Sequence, residues 1–281
     1  MIIKIAIKLS LVISTLLIWG CDSLKSDNIN NICEDYPELC VDFHKIGECR
    51  FKRTTVIRAR YYDKIEPSEI HQQQLLTELD EYESCLELTL LMQFTRNKMR
   101  TKQRFENFLA TQSLIQEELK ESKGTQDPLL AYYLWTHHQD LNARKVFMRV
   151  ATQDNVNDPR LLFKLATVYA KDNPQEAINQ LYKALHFSDS LENISSSIFP
   201  MIMTLFYQNK QFEQAYIWAL ISKQQDKEDQ YPINLDLILK KGVLGGTDTI
   251  VNEKELTAIA EQYYDDLDDG VFKEKAPVLQ K

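Results

Sequence analysis

Five cysteines carry the most reactive side chains of this 281-residue chain: Cys21, Cys33, Cys40, Cys49 and Cys85. Thiols at such spacings can bind zinc or close disulfides. Structural zinc sites generally use a close CxxC pair, and the run Cys33, Cys40, His44, Cys49 has none. Disulfides are therefore the expected chemistry in an oxidising compartment, and an odd count leaves one thiol for another purpose. His137, His138 and Asp140 also stand close together, yet successive helical residues point different ways, so packing or hydration is expected there rather than a metal. "KGVLGGTDT", Lys241 to Thr249, lacks the Gly-Lys-Ser/Thr ending of a phosphate-binding loop and is expected to turn. The sequence has neither a GxSxG elbow nor an HExxH helix. No cofactor is expected.

The odd thiol occupies a position of its own. Lys4 and Lys8 precede an apolar run from Leu9 to Trp19. A spanning helix needs about 20 apolar residues, and this run has the length of a secretory signal instead. Its exit, Ile18-Trp19-Gly20-Cys21, resembles the bacterial lipobox. By that resemblance Cys21 receives a diacylglycerol, residues 1–20 are removed as a signal peptide, and the new amine is acylated. Trp19 is bulkier than usual for the motif. Several acyl chains hold a protein at a membrane where one does not. Asp22 resembles the signal that keeps lipoproteins in the inner membrane of a Gram-negative envelope. Residues 21–31 then form a lipidated tether, with the rest of the chain facing the periplasm. Setting Cys21 aside leaves four cysteines and three possible connectivities. Pro37 breaks any continuous helix between Cys33 and Cys40, which favours joining those two, and Cys49 with Cys85.

The segments around these cysteines, "ICEDYPELC", "CRFKRTTVIRARYY" and "DEYESCLEL", resemble a family of gammaproteobacterial lipoproteins classed as a domain of unknown function. The resemblance covers nearly the whole mature chain. It implies kinship and structural cysteines, and names no reaction.

The elements that must position these residues are helical. Only 7 Gly and 8 Pro accompany abundant Leu, Gln, Glu, Lys and Ala, which favours an all-α fold. A net charge of -8 argues against nucleic acid as a partner. After Pro67, a helix from Ser68 to about Asn97 carries Ile70, Leu75, Leu76, Leu79, Tyr82, Cys85 and Leu86 on a helical period. A second, about Thr101 to Glu121, has Phe105, Phe108, Leu109, Leu114, Ile115 and Leu119 as its apolar face, and Gly124 ends it. Residues 32–124 are thus expected to be a disulfide-pinned helical cap. Glu83-Ser84 resembles the acid-serine pair of lytic transglycosylases, but Cys85 follows it and their glycine-rich substrate motif is missing. Glu83 is expected to be a solvated helix residue. Two basic runs, Arg50 to Arg60 and Arg96 to Arg104, suit anionic headgroups or a helix surface neutralised by Glu78, Asp80, Glu81, Glu83 and Glu87; the second reading is favoured.

Beyond Gly124 an internal period emerges. Asp127-Pro128 and Asp158-Pro159 each place an N-cap before a helix-starting proline. Asn173, Pro174 and Glu176 repeat this with a capping-box acid. Ala143, Ala177 and Ala215 fall at steps of 34 and 38 residues, as do Trp135, Tyr169 and Tyr207. These spacings, and above all "LLFKLATVYAKDNPQEAINQLYKAL", Leu161 to Leu185, resemble the tetratricopeptide repeat. Residues 125–267 are expected to form a tetratricopeptide-like α-hairpin solenoid. Its closing pair would span about Pro232 to Lys241 and Asn252 to Asp266, with 268–281 as a frayed tail.

In tetratricopeptides the first helix of each hairpin lines the concave face. Alignment on the spacings above puts Leu129, Tyr133 and His137 there, then Phe163, Thr167 and Lys171, then Met201, Leu205 and Gln208. Such a mixture of apolar and hydrogen-bonding groups suits a peptide or helix. The expected protein is an adaptor or scaffold, held at the membrane by its N-terminal lipid, for an envelope protein or peptide. The alternatives are an envelope hydrolase acting on cell-wall material through unrecognised carboxylates, or a purely structural lipoprotein.

Overall fold

The computed structural model describes residues 28–92, 98–226, 232–244 and 252–279. The lipobox with Cys21, and residues 245–249 of the glycine-rich stretch, lie outside them. Among the described residues there are twelve α-helices and no strand. They fall into two compact units divided between Lys123 and Gly124.

The first unit holds α1 (Ile29–Asp35), α2 (Arg50–Ile65), α3 (Glu69–Leu90) and α4 (Lys98–Glu121). The Asn28 side chain caps α1 by accepting from Asn30 N at 2.9 Å. Pro37 then opens a short 3-10 turn, Pro37–Leu39, and the Cys33–Cys40 disulfide brackets it. Cys49 turns the chain into α2 from a left-handed conformation, φ 57°, and its disulfide to Cys85 pins the start of α2 to α3. Ser68 caps α3 by accepting from His71 N at 3.2 Å. Helices α2/α3 and α3/α4 pack as neighbours around Ile32, Phe43, Val56, Leu75, Leu79, Tyr82 and Leu86.

Two expectations change here. Helix α3 ends at Leu90, and residues 93–97, where it was expected to end, lie outside the described set. The buried face of α4 is not the aromatic one: Phe105 and Leu109 are about half exposed, while Arg104, Asn107, Thr111 and Ile115 are buried. These four follow a helical spacing, so α4 turns a largely polar stripe inward.

The second unit is a series of helical hairpins, α5 (Pro128–His138) with α6 (Leu141–Ala151), α7 (Pro159–Tyr169) with α8 (Pro174–Phe187), and α9 (Ile198–Gln208) with α10 (Phe212–Gln225). The Asp-Pro starts do what their chemistry predicts. Asp127 accepts from Leu130 N at 2.7 Å and Asp158 from Arg160 N at 2.9 Å. Asn173 accepts from Glu176 N, and Asp140 caps α6 through Asn142 N and Ala143 N. Ala143, Ala177 and Ala215 are buried, where a small side chain lets paired helices approach closely.

The last two helices, α11 (Leu235–Leu244) and α12 (Glu253–Asp268), each lie against α10 rather than chiefly against one another. The tail that follows is also unlike the frayed segment expected. Gly270 turns the chain back in a left-handed conformation, and Phe272 is fully buried against Tyr182, Trp218 and Tyr263. Beneath it the Trp218 indole N–H donates to the Tyr182 hydroxyl at 2.9 Å. Gln175 then holds the extended backbone twice, donating to Pro277 O and accepting from Leu279 N at 2.6 Å. Gln211 donates to Val278 O at 3.0 Å. A single aromatic anchor and three amide contacts explain why a polar tail packs in place.

Candidate partner-binding surface

The outward face of the first helix in each hairpin depends on register, and burial fixes that register. Leu130, Ala131 and Leu134 of α5 are buried as Leu161, Leu162 and Leu165 of α7 are, and as Ile198, Phe199 and Ile202 of α9 are. The steps between these sets are 31 and 37 residues, not 34 and 38. The hairpin turns account for the difference. Gln139 and Asp140 join the first pair, residues 170–173 the second, and residues 209–211 the third. Aligning on the second helices therefore rotates α5 by three residues, about 60° at 100° per residue.

The expected residues separate accordingly. Tyr133 and Leu205 are buried, at 5% and 3% exposure, and so leave the candidate surface. His137 is exposed and stacks on the Tyr133 ring with centroids 4.1 Å apart. Leu129, Phe163, Thr167 and Met201 are half-buried, whereas Lys171 and Gln208 are exposed. In the observed register Tyr132 matches Phe163, and Thr136 matches Thr167 and Thr204. The prolines at 128 and 159 carried that register and are 31 residues apart.

Tyr132, missed in the sequence, joins the first two hairpins. Its hydroxyl lies 2.8 Å from Thr167 Oγ1. Thr167 gives its own hydrogen to Lys164 O at 2.7 Å, so Tyr132 is the donor in the pair. The Lys164 ammonium lies over the Tyr132 ring at 5.2 Å and the Phe163 ring at 5.6 Å, each a cation–π contact. Burial lowers its pKa, because a cation withdrawn from water is disfavoured. Alongside, Trp135 meets Tyr132 edge-on at 6.1 Å, and the Arg144 guanidinium lies 5.2 Å above the Trp135 ring. Phe147 is fully buried and touches both aromatics.

The first unit has its own buried polar chemistry, with a structural role. Asn107 accepts from His44 N at 2.7 Å and donates to His44 O and to the Tyr82 hydroxyl. Arg104 donates to Thr89 O. Burial pushes the Tyr82 hydroxyl up to about 12. Glu118 is pushed up to about 7 by burial first, then by the neighbouring charges of Asp63 and Glu121. Glu83 is half-buried on α3. Among the described residues no group of three His, Cys, Asp or Glu side chains is arranged to hold a metal ion. No helix among them is long and apolar enough to cross a membrane.

Neither a curated protein nor a solved structure matches the chain. A family described as a protein of unknown function, DUF2989, matches residues 18–220. That segment takes in both disulfides, the first two hairpins and the third as far as residue 220 of its second helix. Since it spans well over half the sequence, the chain belongs to the DUF2989 family.

Proposed function

We propose that this protein is a lipid-anchored envelope protein, facing the periplasm, that works as an interaction adaptor through the first helices of tetratricopeptide-like hairpins. The observation that carries this reading is the recurrence of one buried register in α5, α7 and α9. It leaves the equivalent positions Thr136 and Thr204 exposed, and Tyr132, Phe163 and Thr167 half-buried at the edge of the core. A repeated outward row on a stacked scaffold is what extended ligands use in solenoid proteins. The pairing of Cys33 with Cys40 and Cys49 with Cys85 supports the anchor, because it leaves Cys21 as the odd thiol in its lipobox. Asp22 favours the inner membrane.

A photo-crosslinking residue placed at Phe163 or Thr204 in living cells should trap a discrete protein, and one placed at Glu255 on α12 should not. Equal trapping at all three positions, or at none, would remove the adaptor reading. Cys21→Ser should abolish metabolic labelling with fatty acid; persistent labelling would remove the anchor.

A further inference from the structure

The charge of the first two hairpins is distributed unlike that of the whole chain. The net charge is -8, yet the bodies of α5, α6 and α7 contain no Asp or Glu, while carrying Arg144, Lys145, Arg149, Arg160 and Lys164. The carboxylates that open these helices are engaged locally. Asp127, Asp140 and Asp158 each accept backbone N–H bonds as N-caps, and Asp158 also pairs with Arg160 at 2.8 Å.

Two cations of this region are held on aromatic faces instead of carboxylates. Lys164 lies on Tyr132 and Phe163, and Arg144 on Trp135. Among the described residues no carboxylate lies within ion-pair distance of either. The hydroxyl hydrogens of Tyr132 and Thr167 are used internally, so they fix the ring beneath the amine. The three N–H donors of Lys164 have no acceptor among those residues. A half-buried ammonium on aromatic faces has lost hydration without gaining a hydrogen-bond acceptor, and a charge-assisted bond to a carboxylate restores what was lost. Tyr132 and Trp135 touch edge-on, so the two cations border one continuous aromatic strip.

We infer that this strip is a docking site for carboxylates of a partner protein, with Lys164 as the principal contact, Arg144 as a second, and Tyr132 as the positioning residue. The inference rests on the adaptor reading and names its ligand: an acidic peptide segment. A long polyanion fits less well, because it would extend into the field of an acidic protein, whereas a short segment meets the local cations.

The test is fluorescence anisotropy on the full chain in detergent, with a labelled alternating Glu-Ala decapeptide blocked at both ends. Its Gln-Ala counterpart is prepared blocked and with a free C-terminal carboxylate. The Glu-Ala peptide should bind saturably and more weakly as salt rises. Lys164→Gln should weaken it about tenfold, the order expected for losing one hydrogen bond to a charged group, and Lys164→Arg should keep most of the binding. Arg144→Gln, at an exposed position, should weaken it less. Binding of only the free-carboxylate Gln-Ala peptide, dependent on Lys164, would make the ligand a chain terminus and keep the site. Absence of saturable binding, binding indifferent to Lys164→Gln and Arg144→Gln, or Lys164-dependent binding only to phosphatidylglycerol vesicles would overturn it. Crosslinks at Phe163 whose yield is unchanged by Lys164→Gln combined with Arg144→Gln would sink this inference and leave the adaptor reading standing. Lys164-dependent peptide binding without any crosslinked protein would do the reverse.

Discussion

Gly270 stands so close to Asp189 that a Cβ on it would lie 2.3 Å from the Asp189 carbonyl oxygen. Its φ of 67° also belongs to the left-handed region, which costs an L side chain about 1–2 kcal/mol. Gly270→Ala is expected to destabilise the second unit by about 3 kcal/mol, since one of two backbones must move. Gly124→Ala is the control, with φ 85° and nothing within 4 Å of the added carbon; about 1 kcal/mol is expected there. Urea unfolding followed by tryptophan fluorescence measures both. Equal losses would show that the Asp189 contact contributes nothing.

The two disulfides should differ in worth. Cys49–Cys85 spans 36 residues and Cys33–Cys40 spans 7. The chain-entropy account gives about 4 kcal/mol for the longer loop and about 2.5 for the shorter. Replacing each pair by serine and measuring the unfolding midpoint of the first unit tests the order, and a larger loss at Cys33–Cys40 would refute it.

Asn107 should be the most costly polar substitution in α4. Asn107→Ala removes the acceptor for His44 N and the donor to Tyr82 Oη in a fully buried site. A loss of about 2–4 kcal/mol is expected from groups left unsatisfied. Phe105→Ala, at a half-exposed position on the same helix, should cost about 1 kcal/mol or less. Chemical denaturation of the two variants side by side gives the comparison.

Glu118 makes the first unit sensitive to pH. Its folded pKa is about 7 against an ordinary 4.5, so the folded state holds the proton more tightly and stability falls as pH rises through that window. A hydrogen bond from Gln72 and the charge of Arg60 oppose the rise. Glu118→Gln should stabilise the protein by about 1 kcal/mol near pH 8, a figure reduced for partial solvent screening, and by little near pH 4. Asp63, also raised by burial and by Glu121, leaves a residual slope. Thermal melts across that range would read the effect; an unchanged slope in the variant would exclude Glu118 as its source.

Much of the fold was legible because local chemistry dictated it. Asp-Pro and Asn-Pro starts, buried alanines and the proline between Cys33 and Cys40 are signals that act over a few residues. The candidate surface was less legible, because turns of two, four and three residues separate the hairpin helices, and each changes the phase of one helix against the next. Tyr133 entered the expected groove and Tyr132 was missed by that phase error alone. The inward face of α4 was hidden for another reason. Arg104 and Asn107 look like surface residues until the backbone groups of Thr89 and His44 are brought to them, and no periodicity of apolar residues announces such a partner.

The hold of Gln175 on Pro277 and Leu279 crosses 102 and 104 residues of sequence. Hairpins in a stack ordinarily meet only their neighbours, and such arrays can melt from an end inward. A clasp of that span raises the contact order of the second unit and links the opening of α8 to the release of residues 272–279. The part of the array from α8 onward is thereby closed on itself, so that its helices are coupled to the returning tail and not only to their neighbours.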